Sequence, residues 1–495
     1  MEYNLEKQHA KGKLHAIERI NNLVDEDSFI EIYSGVKHNC TSFGMDKKEI
    51  PYDGVITGFG TVNGKKIAIY AQDFTVQGGS LGKMHGDKIA ELIDMAIKAR
   101  CPVIGINDSG GARIQEGVNS LAGYGNIFYQ NVQASGYIPQ ISIIAGPCAG
   151  GAVYSPGITD FIFSVDKISY MFITGPKVVK SVMFLDITEE ELGGGAIHSQ
   201  KSGVTHFRCQ DEMDCYQKVR KLLDYIPHYY GESIQPKNYK FDEKKKAKKI
   251  QGILPERSTQ GYDIREVTYC IIDDDSFFEV AQEFAPSVVT GFGRIEGKTV
   301  GIIANNPAAL GGIMNCDASD KAARFVRYCD CYNIPLLNLV DIPGFIPGPQ
   351  EEQKGIIRHG AKLIYAYSEA TVPKVTVITR KAYGGAYIAM CSKHLAADFV
   401  FAWPKSEIAV MGAEGAIQIM YAKELKDPTM AQTVQDKTQE YKETVMSPAT
   451  AAERGYISEV INPEETRKKV AQCFRILENK KNTKKIEKKH GNIPL

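Results

Sequence analysis

The sequence predicts an α/β protein made of two copies of one module, each with a mostly parallel sheet. Three observations predict this. Four blocks of the first half recur in the second at a nearly constant offset. Short β-branched apolar runs alternate with amphipathic helical stretches in both halves. The composition, 43 % hydrophobic and 24 % charged over 495 residues, is that of a globular chain long enough for two or more domains.

Internal self-similarity decides architecture before any local pattern does. VITGFGTVNGKKIAIYAQD (55–73) matches VVTGFGRIEGKTVGIIANN (288–306), with Thr57 and Thr290 233 residues apart. PVIGINDSGG (102–111) matches PLLNLVDIPG (335–344), and Asp108 and Asp341 keep the same offset. IPQISIIAGPCAGGAVY (138–154) matches VPKVTVITRKAYGGAYI (372–388), with Gly150 and Gly384 234 apart. TDFIFSV and ADFVFAW set Asp160 against Asp398, 238 apart. The duplication divides the chain into residues 1–245 and 246–495. The boundary is placed near the lysine-rich KNYKFDEKKKAKKI (237–250), read as a solvated linker or face.

The elements follow in order within each module. KIAIYAQD and TVGIIANN are β-branched and read as strands. DKIAELIDMAIKAR (87–100) carries Ile89, Leu92, Ile93 and Ile97 at helical spacing behind an Asp. DKAARFVRYCDCYN (320–333) repeats this with Ala323, Phe325, Val326 and Cys329. A proline and a strand ending in Asp come next, then a second helix, then PQISIIAG or PKVTVITR. The tail from residue 478 reads as a frayed polar end.

Several function classes are disfavoured. Lys+Arg and Asp+Glu are both 59, which gives no basic surplus for nucleic acid. The charged opening MEYNLEKQHAKGKLHAIERI is no secretory signal, and no apolar run reaches the ~20 residues of a membrane helix. The eleven cysteines include no Cys-x-x-Cys, and the Cys329–Cys331 pair has no second pair to complete a metal site. The expectation is a reduced cytoplasmic protein with buried thiols and no metal.

Each half places a Gly-Gly-Ala turn after a buried strand: CAGGAVY (148–154) and AYGGAYI (382–388). Glycine lets the backbone turn sharply and approach a ligand. The helical start that follows offers unpaired N–H groups, suited to an oxygen that gains negative charge. Gly-Gly also permits close helix–strand packing, but two turns at equivalent places favour the oxyanion reading. NDSGGA (107–112) is similar to a serine-protease block, yet Ile342 replaces Ser109 in the second copy and no histidine motif supports it. GGSLGKM (78–84) fails as a phosphate loop, with Gln77 and Met84 at key places, but remains a second donor-bearing loop. Two oxyanion holes suit a reaction with two carbonyls that each become enolate-like. Carboxyl transfer between biotin and an acyl thioester is one, and the freed biotin nitrogen can take the α-proton.

The chain resembles the carboxyltransferase (β) subunits of biotin-dependent acyl-CoA carboxylases, of the propionyl-CoA carboxylase type. Methylmalonyl-CoA decarboxylase α subunits belong to the same family. The resemblance is carried by QHAKGKLHAIERI, DSGGARIQEGV, GPCAGGAVYSP, ELGGGAIHSQKSGV, DASDKAARFVR, VDIPGFIPG, the run from GIIRHGAKLIY to AYGGAYIAM, and MGAEGAIQI. It implies two crotonase-like domains of spiralling ββα units. It also implies a homohexamer whose active site lies between the N-domain of one subunit and the C-domain of another. By resemblance Gly150 and Gly151 hold the acyl-thioester oxygen, and Gly385 and Ala386, with Gly384, hold the biotin urea oxygen. Gly78, Gly79, Ala112, Tyr154 and Ile388 are the substrate-binding candidates. Ile388 stands where the family adjusts acyl-chain choice and where several propionyl-CoA enzymes have Asp. Met183–Asp186 replaces the usual Thr-Gly-Glu of relatives.

The chain has no biotin-attachment segment and no ATP loop. The resemblance therefore implies a biotin carboxyl carrier protein bringing N-carboxybiotin, an acyl-CoA substrate, and either a biotin carboxylase subunit or membrane decarboxylase subunits as partners. Three alternatives stay open: the same transfer run in reverse by a sodium-pumping decarboxylase, a crotonase-fold serine hydrolase using Ser109, and a non-catalytic scaffold.

Overall fold

The computed structural model describes residues 5–426, 431–481, 488 and 490–495. The chain divides into two units, Met1–Ser233 and Ile234–Leu495.

The first unit is built on strands β1 (Ile30–Ile32), β2 (Val55–Val62), β3 (Lys65–Gln72), β4 (Val103–Ser109), β5 (Gln140–Ala149), β6 (Phe161–Val165), β7 (Tyr170–Phe172) and β8 (Phe207–Cys209). They form one sheet in the order β1-β2-β3-β4-β5-β6-β8, with β7 beside the far end of β5. The second unit repeats this with β9 (Phe278–Val280), β10 (Val288–Ile295), β11 (Lys298–Asn305), β12 (Leu336–Ile342), β13 (Lys374–Tyr383), β14 (Phe399–Ala402), β15 (Glu407–Ala409) and β16 (Glu459–Val460). Its order is β9-β10-β11-β12-β13-β14-β16, with β15 beside β13. In each sheet the first three strands pair antiparallel and the rest parallel.

Local chemistry explains the pattern. β2 and β3 turn through Asn63 and Gly64, both at positive φ, and β10 and β11 through Glu296 and Gly297 likewise. That conformation matches the twist of a tight hairpin. Parallel pairs need long crossovers, supplied by α1 (Lys83–Ala99) and α2 (Val118–Ala134) in the first unit and by α3 (Cys316–Cys331) and α4 (Ile356–Glu369) in the second. Ile89, Leu92, Ile93 and Ala96 of α1 are buried in one cluster with Val55, Ala68, Tyr70 and Val103 of the sheet. β4 and β12 are buried along their whole length, as parallel strands covered on both faces must be.

Three expectations are corrected. α1 and α3 begin four residues before Asp87 and Asp320, so those aspartates are not helix starts. The first turn of α1 is capped from a distance, Glu116 accepting from Lys83 N at 2.7 Å; α3 is capped locally by Asn315, which accepts from Ala318 N at 2.8 Å, and Glu351 adds a bond from Cys316 N at 2.9 Å. The lysine-rich run is not a bare linker, because Glu243–Gln251 is a helix capped by Asp242 and lies inside the second unit. Its Ile250 is buried, Lys246 donates to the Ile272 carbonyl, and Lys249 pairs with Glu266. The polar tail is not frayed where it is described: Lys488 donates to Glu369 and Arg358 to the Leu495 carbonyl. Residues 482–487 and 489 of that tail lie outside the described residues.

Nine of the eleven cysteines are buried, while Cys40 is half-buried and Cys331 exposed. Among the described residues no helix is long and apolar enough to cross a membrane.

Two buried lysines occupy equivalent places on α1 and α3. Lys88 donates to the Tyr52 and Val55 carbonyls, and Lys321 to the Phe284 carbonyl at 2.7 Å. Burial pushes Lys88 down to about 8 and Lys321 down to about 7, from an ordinary 10.5. Between those values and 10.5 the unfolded chain holds a proton that the folded chain lacks, so stability rises with pH across this window. We expect the stability difference between the wild type and Lys321→Met, read from urea midpoints, to shift in favour of the wild type from roughly pH 7 to pH 10. A difference that stays constant with pH would refute this.

Candidate active site

Ligands of parallel α/β sheets bind beyond the carboxyl ends of the strands. In both units the two central strands lose register at that end. Asn107 of β4 pairs with Ile144 of β5, but Ser109 pairs with Cys148. Val340 of β12 pairs with Ile378 of β13, but Ile342 pairs with Ala382. Each longer strand arches away, and its glycine turn follows directly.

A fully buried aspartate sits at each break. Asp341 accepts from Arg380 Nε at 2.8 Å and from the Lys381 N–H, within the arch, at 3.2 Å. Asp108 accepts from Lys13 Nζ at 2.8 Å and Arg19 Nη1 at 2.9 Å. The cation thus comes from within the strand in one unit and from an N-terminal segment in the other. Gly146 stands where Arg380 stands, and a Cβ there would strike the Asp108 carboxylate and crowd Lys13 Nζ.

The turns themselves are alike. Gly150 has φ +63° and Gly384 φ +59°, left-handed values that favour glycine. Gly150–Val153 forms a short helical turn into Tyr154–Ile158, and Gly384 opens the helix Gly384–Ala389. The first N–H groups of such a turn have no partner within it. A Cβ on Gly151 would meet the Tyr124 ring at 3.2 Å. A Cβ on Gly385 would meet nothing within 4 Å, and its φ is ordinary. Neither backbone nor packing within the chain therefore requires glycine at 385. Ala386 is buried, and Ile388, two residues further along, is 38 % exposed. Tyr154 is 51 % exposed, with its ring edge-on to Phe128 at 6.1 Å.

A second glycine loop flanks the first turn. Gly78 and Gly79 have φ +65° and +64°, and a Cβ on Gly79 would collide with the Asp108 carbonyl. Gly110 N donates to the Gly78 carbonyl at 3.0 Å, and Leu81 bridges to half-buried Ala112. A Cβ on Gly111 would stand 3.0 Å from the Ala149 carbonyl. Gly78, Gly79, Ala112, Gly150, Gly151 and Tyr154 are thereby brought to one lip at the ends of β3, β4 and β5. Gly384, Gly385, Ala386 and Ile388 form the corresponding turn of the second unit.

One pair of candidates escapes the sequence reading. Gly311 and Gly312, with φ +65° and +78°, repeat Gly78 and Gly79, and Met314 bridges to Phe345 as Leu81 does to Ala112. The same 233-residue offset locates them.

Ser109 is fully buried. Its hydroxyl donates to the Gly79 carbonyl at 2.6 Å and accepts from Gly111 N at 3.1 Å. No histidine is bonded to it among the described residues. It ties the glycine loops together and is not poised as a nucleophile, so the hydrolase alternative has no support here.

The carboxyl transferase domain matches residues 7–493. The chain belongs to the carboxyl transferase family. It is 51 % identical, over all of its length and 96 % of the relative's, to the methylmalonyl-CoA decarboxylase subunit alpha of Veillonella parvula. It is 50 % identical, over 99 % of its length and 96 % of the relative's, to the propionyl-CoA carboxylase beta chain of Roseobacter denitrificans. The crystal structure of transcarboxylase 12S, a hexamer with methylmalonyl-coenzyme A and methylmalonic acid bound, superposes with a TM-score of 0.95. It shares 48 % identity over 99 % of this chain and 95 % of that one. The fold is the crotonase-like fold of that enzyme, and the chain is a carboxyltransferase of the biotin-dependent acyl-CoA class.

The electrostatics at the two strand breaks bear on the stability of the turns that follow them. Burial pushes Asp341 up, while the Arg380 guanidinium beside it opposes that shift. Burial likewise pushes Lys13 down, against the pull of Asp108. Removing one partner of such a buried pair strands the other charge. Arg380→Met should cost about 3–5 kcal/mol of stability, and adding Asp341→Asn should recover most of it. Denaturant titrations of the two variants check this, and an equally destabilised double variant would disprove the pairing.

Proposed function

We propose that the chain transfers a carboxyl group between biotin on a carrier protein and the α-carbon of a short-chain acyl-CoA. The first-unit turn holds the thioester oxygen through the N–H groups of Gly150 and Gly151. The second-unit turn holds the biotin urea oxygen through those of Gly385 and Ala386, with Gly384 setting the turn. Carrier-borne N-carboxybiotin supplies the carboxyl group when bound. Everything asked of this chain is to bind, to orient, and to face fixed donors at two oxygens whose negative charge grows. Gly78, Gly79, Ala112 and Tyr154 shape the acyl-CoA side, and Ile388 limits the acyl chain.

The observation that carries this reading is Gly385. It has room for a side chain and an unstrained backbone, yet it is glycine. An incoming group that approaches the backbone closely explains that choice, and the exposed turn fits a biotin ring arriving from outside the chain. The two turns serve one reaction in a homohexamer in which different subunits supply them. Direction follows from the partner: a biotin carboxylase subunit drives carboxylation, and membrane decarboxylase subunits drive the reverse. The buried free thiols suit a reduced cytoplasm.

The test is the purified protein assayed with carboxybiotin against acetyl-, propionyl- and butyryl-CoA, and with free biotin against methylmalonyl-CoA. Transfer to or from at least one short acyl-CoA is expected, and none with any of them would defeat the proposal. Gly385→Val should fold, because its Cβ has space, and should lose on the order of 10²–10³ in kcat, as when one oxyanion donor is blocked. Wild-type turnover in the folded variant would remove Gly385 from the site.

A further inference from the structure

A buried polar network adjoins the Gly78–Gly79 loop of the first unit, and its central members have no counterpart in the second. Its centre is Arg113, 1 % exposed. Arg113 Nη2 donates to the Ser80 carbonyl, one residue past Gly79, at 2.9 Å. Its Nη1 donates to Asp53 Oδ1 at 2.5 Å and to Glu116 Oε1 at 2.8 Å. Glu116 caps α1 through Lys83 N, and Asp53 Oδ2 accepts from His85 N at 2.8 Å.

The network runs on to the register break. His85 Nδ1 lies 2.9 Å from the Asp53 carbonyl, so it carries the ring proton. Its Nε2 then accepts from Gln72 Nε2 at 3.2 Å, which turns Gln72 Oε1 toward the Asp108 N–H at 3.1 Å. Burial, followed by the nearby Arg113 and Lys88 charges, pushes His85 well below its ordinary range and keeps it neutral, as this chain of bonds requires. Asp53, His85, Gln72 and Asp108 are all buried.

The second unit keeps only the two ends of this chain: Glu351 binds the first turn of α3 as Glu116 binds that of α1, and Asn305 stands where Gln72 stands. Asn305 Oδ1 accepts from the Asp341 N–H at 3.3 Å, as Gln72 does from Asp108. At the 233-residue offset, however, Pro286 replaces Asp53, Ala318 replaces His85 and Ile346 replaces Arg113. The Asn305 amide nitrogen is consequently buried without a hydrogen-bond partner among the described residues. A fold that stands without this network in one copy does not need it in the other for folding alone.

We propose that Arg113 is the positioning residue of the acyl-CoA-side loop: by gripping Ser80, Asp53 and Glu116 at once, it fixes the Gly78–Gly79 backbone against the Gly110–Gly111 and Gly150 turns. This rests on the acyl-CoA assignment of the first unit made above. Arg113 touches no reacting atom. Its planar fork holds three acceptors in a fixed arrangement that a lysine ammonium does not reproduce.

The test compares kcat and KM for methylmalonyl-CoA and for free biotin in the wild type, Arg113→Lys and Glu116→Gln. Each value is scaled to folded protein measured by circular dichroism. For Arg113→Lys we expect kcat/KM for methylmalonyl-CoA to fall on the order of 10- to 100-fold, the size of effect that an ångström of misplacement produces. The KM for biotin should stay unchanged. Glu116→Gln should show a smaller loss on the same side only, and it decides the matter if Arg113→Lys does not fold. Equal losses for both substrates, or none in the folded variants, overturn the role of Arg113. Wild-type protein inactive with every acyl-CoA overturns the functional reading, and this inference with it.

Discussion

A carboxylate buried where two parallel strands part company is the constraint on which the site depends. Ladder hydrogen bonds between β4 and β5, or β12 and β13, cannot continue when four residues of one strand face two of the other. The backbone groups freed by the arch need partners, since an unpaired buried donor costs about 1–3 kcal/mol. Asp341 takes the Lys381 N–H in this way. The charge that makes the aspartate a strong acceptor is itself expensive to bury, so a cation must accompany it. Break, carboxylate and cation form one device, and the glycine turn begins where that device ends the strand.

The duplication acts as an internal experiment on this device. Both copies keep the break, the aspartate and the left-handed glycine, but they differ in where the cation comes from. Arg380 reaches Asp341 from the adjacent strand, whereas Gly146 leaves the equivalent space open for Lys13 and Arg19. Arg19 also binds Glu212 and the Ala145 carbonyl, so the first unit ties its N-terminal segment and the helix Glu212–Leu223 into the same cluster. Two unrelated solutions to one electrostatic demand imply that the demand, more than either cation, has been maintained.

Legibility in the sequence followed the range of the physics. The modules, their strands and both glycine turns could be read, because strand patterning and glycine at Gly150 and Gly384 are local requirements repeated at a fixed offset. The start of α1 could not, because Glu116 arrives from 33 positions away, whereas α3 carries a local cap, Asn315, that the choice of Asp320 overlooked. The helix Glu243–Gln251 was hidden by its lysines, since one buried Ile250 is too weak a period to reveal a face. Gly311 and Gly312 were readable from the offset, but Leu310 in place of Gln77 disguised the repeat. The links from Arg113 to Asp53 and from His85 to Gln72 join residues whose proximity only the fold creates, and nothing in their spacing announces it.

The contrast between the copies also bears on how such a site divides its labour. A reaction assisted by backbone N–H groups gains from donors whose direction cannot drift, because an oxyanion is stabilised in proportion to how well they are aimed beforehand. The second turn stands open at Gly385, where a Cβ would meet nothing within 4 Å. The first turn must share its lip with a second glycine loop, and two loops hold their relative aim only if something rigid lies beneath both. Ser109 bonds to both loops, and Arg113 bonds to the Ser80 carbonyl beside them. Both units carry a second glycine loop, but the side chains joining that loop to the strand break differ: the second unit keeps the Asp341–Arg380 pair, the Glu351 cap and Asn305, and lacks counterparts of Asp53, His85 and Arg113.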